Sequence, residues 1–328
     1  MKIVVVFIVD NNKMTYSIVI PIAKYIKLYT NEYKKKKPHK EEHNNFRRFF
    51  EISWKLHCYN LNFKEIDTIF IVLPTHQIDE FKEQFYKLPQ PKTKIEIIDE
   101  YDILGIPSEK VGNTRKQMLI KLLISFRVKT KTYLTLDDDI GTLNKFKEEF
   151  FYNDDDTIGF FMNSHRSGHE KWWVGSSYIL GIAYQPAKLD KLTDKGLLMD
   201  VTPELLHTKS VRNLCNFLKR KWGPTTWINE LILKNVEYRW TEYTLYCLYL
   251  GLIKKNITKL YKRKTLPINN ALWDFSNDSK VMTNHIKNKV CKDNKNYFVT
   301  IPSNIYANKL SAIHKGFKHC KNIINNKV

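Results

Sequence analysis

Four short apolar segments that alternate with helical patterns constrain the fold of this chain more than any other feature. The segments indicate buried strands and lie at 17–21, 67–73, 94–98 and 133–136. Helical periodicity occupies the intervals, at 46–58, 77–87 and 113–126. Strands and helices that alternate at this spacing form a largely parallel sheet with helices on both faces. The sequence therefore predicts an α/β fold, with a mostly parallel, Rossmann-like sheet and a helical C-terminal part.

The second half of the chain has a looser pattern. It predicts further strands at 160–164, 177–183 and 297–302, and helices at 203–218, at 226–236 and beyond 311. Residues 242–252 are so rich in aromatic and aliphatic side chains that most of them should be core. We expect one domain over residues 1–310, interrupted by a charged insertion at 30–45 and followed by a basic tail at 311–328.

Composition narrows the class of protein. The formal net charge of +20 attracts polyanions such as nucleic acid, anionic membranes or phosphate-bearing substrates. Much of this positive charge comes from Lys, alongside abundant Asn and Ile. Codon bias alone can produce such a composition, so the charge is weak evidence for a polyanionic partner. No run of about eighteen apolar residues predicts a membrane span. Five cysteines without a C-x-x-C pair suit reduced, buried thiols, so we expect a cytoplasmic protein, in the host cytoplasm if the chain is viral.

Three consecutive carboxylates, Asp137, Asp138 and Asp139, follow the fourth predicted strand. Clustered carboxylates repel one another and resist desolvation unless a cation lies among them, and Mg²⁺ and Mn²⁺ prefer such oxygen ligands. If the strand continues through the acids, Asp137 and Asp139 point to one face and Asp138 to the other. Ligands of parallel sheets bind beyond the carboxyl ends of the strands. The pair therefore predicts a metal that bridges a diphosphate; the alternative is an acidic loop facing solvent or capping a helix.

The helix before these acids carries polar side chains outside its apolar stripe. Lys116, Gln117 and Lys121 lie off the stripe, and Gln117 and Lys121 share a face because they are i,i+4 neighbours. An ammonium and an amide near a metal-diphosphate site could bind phosphate or sugar hydroxyls. The alternative is a solvated helix face.

The motif Lys-Gln-x-x-x-Lys-Leu at 116–122, followed by Leu-Asp-x-Asp at 136–139, resembles GT-A-type glycosyltransferases. Among these it is most similar to a poorly characterised glycosyltransferase-like family. The resemblance covers about residues 16–250 and departs from the family at the 30–45 insertion and in the basic tail. Further stretches similar to that family occur in the same order, at 17–21, 69–74, 201–206 (Val-Thr-Pro-Glu-Leu-Leu) and 240–246 (Trp-Thr-Glu-Tyr-Thr-Leu-Tyr).

This resemblance implies a metal-dependent glycosyltransferase with a GT-A-like fold. Such an enzyme moves a sugar from a nucleotide-sugar, with a UDP-sugar as the expected donor, to a glycan, protein or lipid acceptor. Residues 1–145 would form the nucleotide-binding half and 146–310 the acceptor half. Mn²⁺ or Mg²⁺ would be held by Asp139 as the principal ligand and by Asp137, which could instead contact the ribose. The donor would also contact Lys116, Gln117, Lys121 and Lys318.

Glu242 is, with Asp139, one of two expected catalytic residues. It lies between Trp240 and Tyr243 at the start of a very apolar segment, where an unpaired carboxylate is costly. In an inverting transferase it could take the proton of the acceptor hydroxyl, and in a retaining one it could hold the acceptor or the sugar. The alternatives are an ion pair with Arg239 and a favourable charge at a helix N-terminus.

Histidines supply the expected third metal ligand. GT-A enzymes often use a C-terminal His, which makes His314 the candidate here. His165 and His169 are rivals, although Ser167 and Gly168 between them disfavour a helix. Trp172 and Trp173 could stack on a sugar or base but are typical core residues, and the acidic run at 153–156 favours a turn over a metal site.

Three other functions compete with the transferase. A basic nucleic-acid-binding protein would explain the charge, but it needs a basic face with interleaved exposed aromatics. A metal-dependent phosphoryl-transfer enzyme could use the same acids, although the chain lacks a Gly-x-x-x-x-Gly-Lys-Ser/Thr loop. A transferase-like fold without activity is the third alternative.

Overall fold

The computed structural model describes most of the chain. The described residues are 15–23, 45–106, 111, 113–145, 151–153, 155, 157–160, 169–188, 202–263, 279–291, 297–301 and 307–318. The strands are β1 Tyr16–Pro21, β2 Ile66–Leu73, β3 Lys94–Asp99, β4 Thr132–Thr135, β5 Ile140–Thr142, β6 Ile158–Phe160, β7 Glu204–His207, β8 Tyr261–Arg263 and β9 Phe298–Thr300. The helices are α1 Asn45–Arg48, α2 Trp54–Asn60, α3 Ile78–Phe85, α4 Glu100–Leu104, α5 Asn113–Leu123, α6 Glu170–Leu180, α7 Thr208–Trp222, α8 Trp227–Tyr238, α9 Glu242–Leu248, α10 Ile257–Leu260, α11 Ser279–His285 and α12 Ala307–Lys318. A π-helical turn, Phe49–Ser53, joins α1 to α2.

A five-stranded sheet forms the centre of the molecule, in the order β3-β2-β1-β4-β7. The first four strands are parallel, and β7 runs antiparallel to β4. Each of these four strands matches a predicted strand, and α1 to α2, α3 and α5 match the predicted helices between them. The predicted α/β class with a mostly parallel sheet and flanking helices is therefore confirmed.

The order of the strands creates a crevice at one edge of the sheet. From β1 the chain adds β2 and β3 on one side, and it then returns to add β4 on the other side of β1. In parallel sheets such a reversal leaves a gap between the carboxyl ends of the two strands, and ligands bind there. In this chain the gap lies between the end of β1 at Pro21 and the end of β4 at Thr135, immediately before the three acids.

A second hydrophobic core lies beside the main one and is built around the antiparallel pair β5–β9. It includes Leu56 of α2, Val299 of β9 and Phe317 of α12, each fully buried. Gly141 of β5 allows close packing here, because a Cβ at this position would lie 2.5 Å from Cδ1 of Leu56 and force that side chain to shift. Helix α12 spans the limit predicted at residue 310 between domain and tail.

Two predicted elements differ from the structure. The strand predicted at 177–183 is wrong, since α6 extends to Leu180 and ends at Gly181 in the left-handed region, at φ +70°. Of the helix predicted at 203–218, the first turn is instead strand β7, because Glu204 to His207 pair with β4. The strand predicted at 160–164 begins as β6, and residues 161–164 lie outside the described ranges.

The cysteines correct one expectation. Cys58, Cys215 and Cys247 are free thiols, as predicted, but Cys291 is disulfide-bonded, so the five do not form an entirely reduced set. Among the described helices, none combines the length and apolarity that a bilayer span requires.

Candidate active site at the carboxyl edge of the sheet

Asp137, Asp138 and Asp139 form a turn, which we call the acid turn. Strand β4 ends at Thr135, and the backbone N–H of Ile140 donates to the carbonyl of Asp137 at 3.1 Å. The strand alternation predicted for the three acids is therefore wrong, because the chain has already left the extended conformation. The turn nevertheless separates Asp138 from Asp137, since their carboxylates contact different cations.

Asp138 points into the protein and pairs with Arg48 of α1. The guanidinium lies 2.9 Å from Oδ1 of Asp138, and both side chains are almost fully buried. Burial raises the pKa of Asp138 to about 6, although Arg48 opposes this shift. The hydroxyl of Ser53, at the end of the π-helical turn, also donates to the carbonyl of Asp138 at 3.1 Å. Arg48 and Ser53 therefore fix the acid turn.

Asp137 contacts Lys121, which α5 extends from the face of the sheet toward the crevice. The Lys121 ammonium lies 2.7 Å from Oδ1 of Asp137 and 2.9 Å from Oε1 of Glu242, and it donates to the Thr202 hydroxyl at 2.9 Å. Only 3% of Lys121 is exposed. Burial alone lowers the pKa of Lys121, but Asp137 and Glu242 raise it well above its usual value. The lysine therefore stays positively charged between two carboxylates, and the predicted alternative of a solvated helix face is wrong for it.

Glu242 is the first residue of α9, and Thr241 caps that helix through a reciprocal capping box with Thr244. The partner of Glu242 is Lys121, whereas the sequence alternative had proposed Arg239. Next to it, the Tyr243 hydroxyl is hydrogen-bonded to the hydroxyls of Thr135 at 2.7 Å and Thr202 at 3.0 Å. These bonds tie the start of α9 to the end of β4.

Asp139 is the most available of the three acids. Its backbone carbonyl accepts a hydrogen bond from the Ile301 N–H at 2.7 Å, whereas its half-buried carboxylate makes no hydrogen bond or ion pair in the described part of the chain. Burial raises the pKa of Asp139 to about 7, with opposition from Arg48 and support from Asp137 and Asp138. A cation bound beside this carboxylate would stabilise its charged form.

The charges at this edge do not balance. Four carboxylates, those of Asp137, Asp138, Asp139 and Glu242, face two cations, Lys121 and Arg48, which leaves a formal charge of −2. Oδ2 of Asp138 is also buried without a hydrogen-bond partner. A divalent cation would neutralise this set, so the residues fit the predicted Mg²⁺ or Mn²⁺ in charge and in ligand type.

The structure does not assemble the complete predicted metal site. In the described ranges no three His, Cys, Asp or Glu side chains lie close enough to hold one ion, so Asp137, Asp139 and His314 do not form a three-ligand set. His314 lies on α12, which packs in the second core. Two protein carboxylates still suit Mg²⁺, because this ion usually keeps several waters and completes its shell with substrate phosphates.

Lys116 and Gln117 lie at a neighbouring recess. The Lys116 ammonium is 2.8 Å from Oε1 of Glu100, and both side chains are buried. Gln117 is half-buried and lines the same recess. The other lining residues are Pro21 at the end of β1, Ile22 and Ala23 directly after it, Val72 of β2 and Ile120 of α5. The recess therefore adjoins the crevice on the β1 side.

The remaining predicted residues lie elsewhere. His169 precedes α6 and stacks on Trp172 with ring centroids 4.0 Å apart, and Trp173 is fully buried in the core. Asp155 accepts the Thr157 hydroxyl and pairs with Lys262, which agrees with the predicted turn. His165 lies outside the described residues, as does the side chain of Lys318.

Sequence reasoning missed four residues of this edge: Arg48, Glu100, Thr202 and Tyr243. Arg48 lies in the run Phe46-Arg47-Arg48-Phe49-Phe50, so a pair of arginines among phenylalanines was the available signal. Thr202 and Tyr243 belong to motifs that the sequence singled out, but their contacts join distant segments and leave no local pattern.

Comparison with protein families identifies the family. Residues 14–319 match the family of unknown function DUF6492, so the chain belongs to that family. No curated protein matches.

Two solved structures with a distant likeness are sugar transferases. Mouse xyloside xylosyltransferase 1 in its apo form is 12% identical, with a TM-score of 0.43, and the match covers 79% of this chain and 88% of that one. The galactosyltransferase LgtC with donor and acceptor sugar analogues is 10% identical, with a TM-score of 0.46 and coverage of 95% and 97%. With TM-scores below 0.5, these likenesses carry no information on the activity of this chain.

Proposed function

We propose that this chain is a metal-dependent glycosyltransferase that takes its sugar from a nucleotide-sugar, with a UDP-sugar as the expected donor. The observation that carries the proposal is the charge arrangement at the crevice. The acid turn and Glu242, together with their two cations, carry a formal charge of −2 and lie where parallel sheets bind ligands; one of the two cations is the buried Lys121 of α5. The motifs that resemble GT-A-type glycosyltransferases supply three parts of this arrangement: Lys121, the acid turn and Glu242.

The residues divide the work as follows. Asp137 and Asp139 would hold Mn²⁺ or Mg²⁺, which when bound neutralises the diphosphate that leaves with the broken glycosidic bond. Lys121 adds a permanent positive charge, and the half-buried Gln117 on the same helix could contact the donor. Glu242 is only 4% exposed and contacts Lys121, so we expect it to hold the lysine in place rather than to take a proton from the acceptor.

A thermal-shift panel tests this function. Nucleotide-sugars are added with and without Mn²⁺ to the wild type, to Asp139→Asn and to a matched control, Asp155→Asn, which changes an exposed acid outside the site. A donor present at about a hundred times its Kd should stabilise the protein by roughly 2.7 kcal/mol. We expect one donor to give a shift that needs Mn²⁺ and Asp139 but not Asp155, and to release a nucleoside diphosphate when an acceptor is supplied.

The competing functions give different results in the same assay. Salt-sensitive binding of arbitrary DNA, unchanged in Asp139→Asn, would favour a nucleic-acid-binding protein. A Mn²⁺-dependent shift with nucleotides but none with any nucleotide-sugar would favour phosphoryl transfer. The absence of a metal-dependent shift with every donor would contradict the proposed function.

A further inference from the structure

Lys121 already supplies a cation to the acid turn. Its ammonium lies 2.7 Å from a carboxylate oxygen of Asp137, one of the two side chains proposed to hold the metal. A divalent ion on the same oxygen would lie within a few ångströms of this ammonium. Two cations that close repel strongly in a poorly solvated site. The lysine and the metal ion therefore compete for Asp137.

The surroundings of Lys121 allow it to leave Asp137 without losing all its partners. Oε1 of Glu242 and Oγ1 of Thr202 each lie 2.9 Å from the ammonium. The ring of Tyr243 has its centroid 5.1 Å from the same atom, within the range of a cation–π contact. A lysine also has a flexible stem and three donors, so it can turn toward these groups.

We propose that Lys121 is a tethered counter-ion that holds the acid turn together before metal binds and is displaced from Asp137 when metal enters. This inference rests on the proposed function, because it takes the acid turn to be a cation site. Glu242 and Thr202 retain the displaced ammonium. The lysine thus weakens the affinity for free metal ions and favours entry of the metal together with a diphosphate, whose charge compensates both cations.

Helix α5 offers a matched control. Lys116 lies on the same helix, is also buried, and makes a 2.8 Å ion pair with Glu100. It contacts none of the three acids through the ion pairs and hydrogen bonds of the described residues. Lys116→Met therefore removes an equivalent buried lysine without freeing Asp137.

The test measures the Kd of Mn²⁺ alone, by electron paramagnetic resonance of free Mn²⁺, in four proteins: the wild type, Lys121→Met, Lys116→Met and the double variant Lys121→Met/Glu242→Gln. In the double variant three carboxylates face Arg48, so the formal charge stays at −2, as in the wild type. We expect Mn²⁺ to bind about tenfold or more tightly in both Lys121 variants and unchanged in Lys116→Met, since only Lys121 blocks Asp137. Circular dichroism verifies that each protein is folded. If Lys121→Met alone does not fold, the Mn²⁺ affinity of the double variant is compared with that of the wild type instead.

Each outcome decides the inference. Equal or weaker Mn²⁺ binding in the double variant overturns it, and so does an equal gain in Lys116→Met. If the wild type binds Mn²⁺ in that case, the proposed function is unaffected. Binding in the double variant but not in the wild type supports the inference directly. If no variant binds Mn²⁺, the counter-ion role is overturned, while donor turnover remains a separate measure of the transferase activity.

Discussion

Arg48 and Asp138 form an ion pair that contributes to the fold differently from the ion pairs at the surface. Both side chains have less than a tenth of their surface exposed, so neither charge can be solvated if the other is removed. Removal of one partner from a buried pair is strongly destabilising, whereas an exposed pair contributes little.

We expect Arg48→Met to lower the free energy of unfolding by about 3–5 kcal/mol, because it leaves the buried carboxyl group of Asp138 without its ion-pair partner. The double change Arg48→Met/Asp138→Asn should recover most of that loss. Urea denaturation measures both, with Lys87→Ala as the control, since Lys87, just beyond α3, forms an exposed pair with Glu83 of that helix. A loss in Arg48→Met no larger than in Lys87→Ala would contradict a structural role for the buried pair.

His57 provides a residue-scale prediction about pH. It is fully buried and hydrogen-bonded through Nδ1 to the Thr142 hydroxyl at 2.8 Å, and burial lowers its pKa to about 3 from the usual 6.5. Between these values the unfolded chain binds a proton that the native protein does not, so this residue makes stability fall as the pH falls from 6.5 toward 3.

His57→Gln should therefore make the protein less sensitive to acid. Between pH 6.5 and pH 4 the free energy of unfolding of the variant should fall less steeply than that of the wild type, by up to about 1.4 kcal/mol per pH unit. Urea titrations at several pH values give the two slopes. His76→Gln, at an exposed His, is the control, and identical slopes for His57→Gln and the wild type would show that His57 is protonated in the native state.

At the scale of helices and strands, the start of α9 links local sequence to the site. Thr241 accepts a hydrogen bond from the Thr244 N–H, and the Thr244 hydroxyl accepts one in return from the Thr241 N–H. This box fixes the first turn of the helix, from which Glu242 reaches Lys121. The Thr-Glu-Tyr motif is thus a helix start as well as a source of site residues.

Thr241→Ala should cost about 1 kcal/mol of stability through loss of the cap. It should also weaken Mn²⁺-dependent donor binding, because Glu242 and Tyr243 lose their fixed position. Thr241→Ser keeps the capping oxygen and is expected to behave like the wild type in both measurements. A stability loss equal in the Ala and Ser variants would point to the lost methyl group rather than the cap.

Helix α6 shows why one element could not be predicted. The apolar segment from Ser177 onward favours a strand, yet its first four residues continue a helix, and Ser176 of that helix faces α9. The Ser176 hydroxyl lies 2.6 Å from the Thr244 hydroxyl, so small side chains allow the two helices to approach closely. This reason lies in a contact between distant segments, which local periodicity does not report. Gly181 was the one local signal, as a glycine that follows a helix end.

At the scale of the whole molecule, alternation of strands and helices was enough to predict the parallel sheet. The acid turn and the α5 lysines followed because the carboxyl ends of parallel strands meet at one edge. The antiparallel partners β7 and β9 were not predicted as such, since their pairing depends on residues far apart in the chain. Arg48 was missed for the same reason, because its partner Asp138 is 90 residues away.

The second core connects the C-terminal helices to the site. Phe317 of α12 and Val299 of β9 are fully buried in it, and β9 pairs with β5 directly after the acid turn. We expect Phe317→Ala to cost about 3–5 kcal/mol, as is usual for a buried Phe, and to weaken Mn²⁺ binding by loosening β9. Thermal unfolding and the Mn²⁺ titration measure the two effects, with Tyr86→Ala at an exposed aromatic as the control.

The hydrogen bond from Ile301 to the Asp139 carbonyl also has a consequence for the order of synthesis. A chain emerging from the ribosome presents its first four parallel strands and the acid turn long before β9 is made. N-terminal segments generally fold first, so the sheet has time to form while the turn still lacks its last support. The nascent protein should therefore form its parallel sheet before the acid turn gains its last backbone support, so the metal binding proposed for this turn should appear only when the chain is nearly finished.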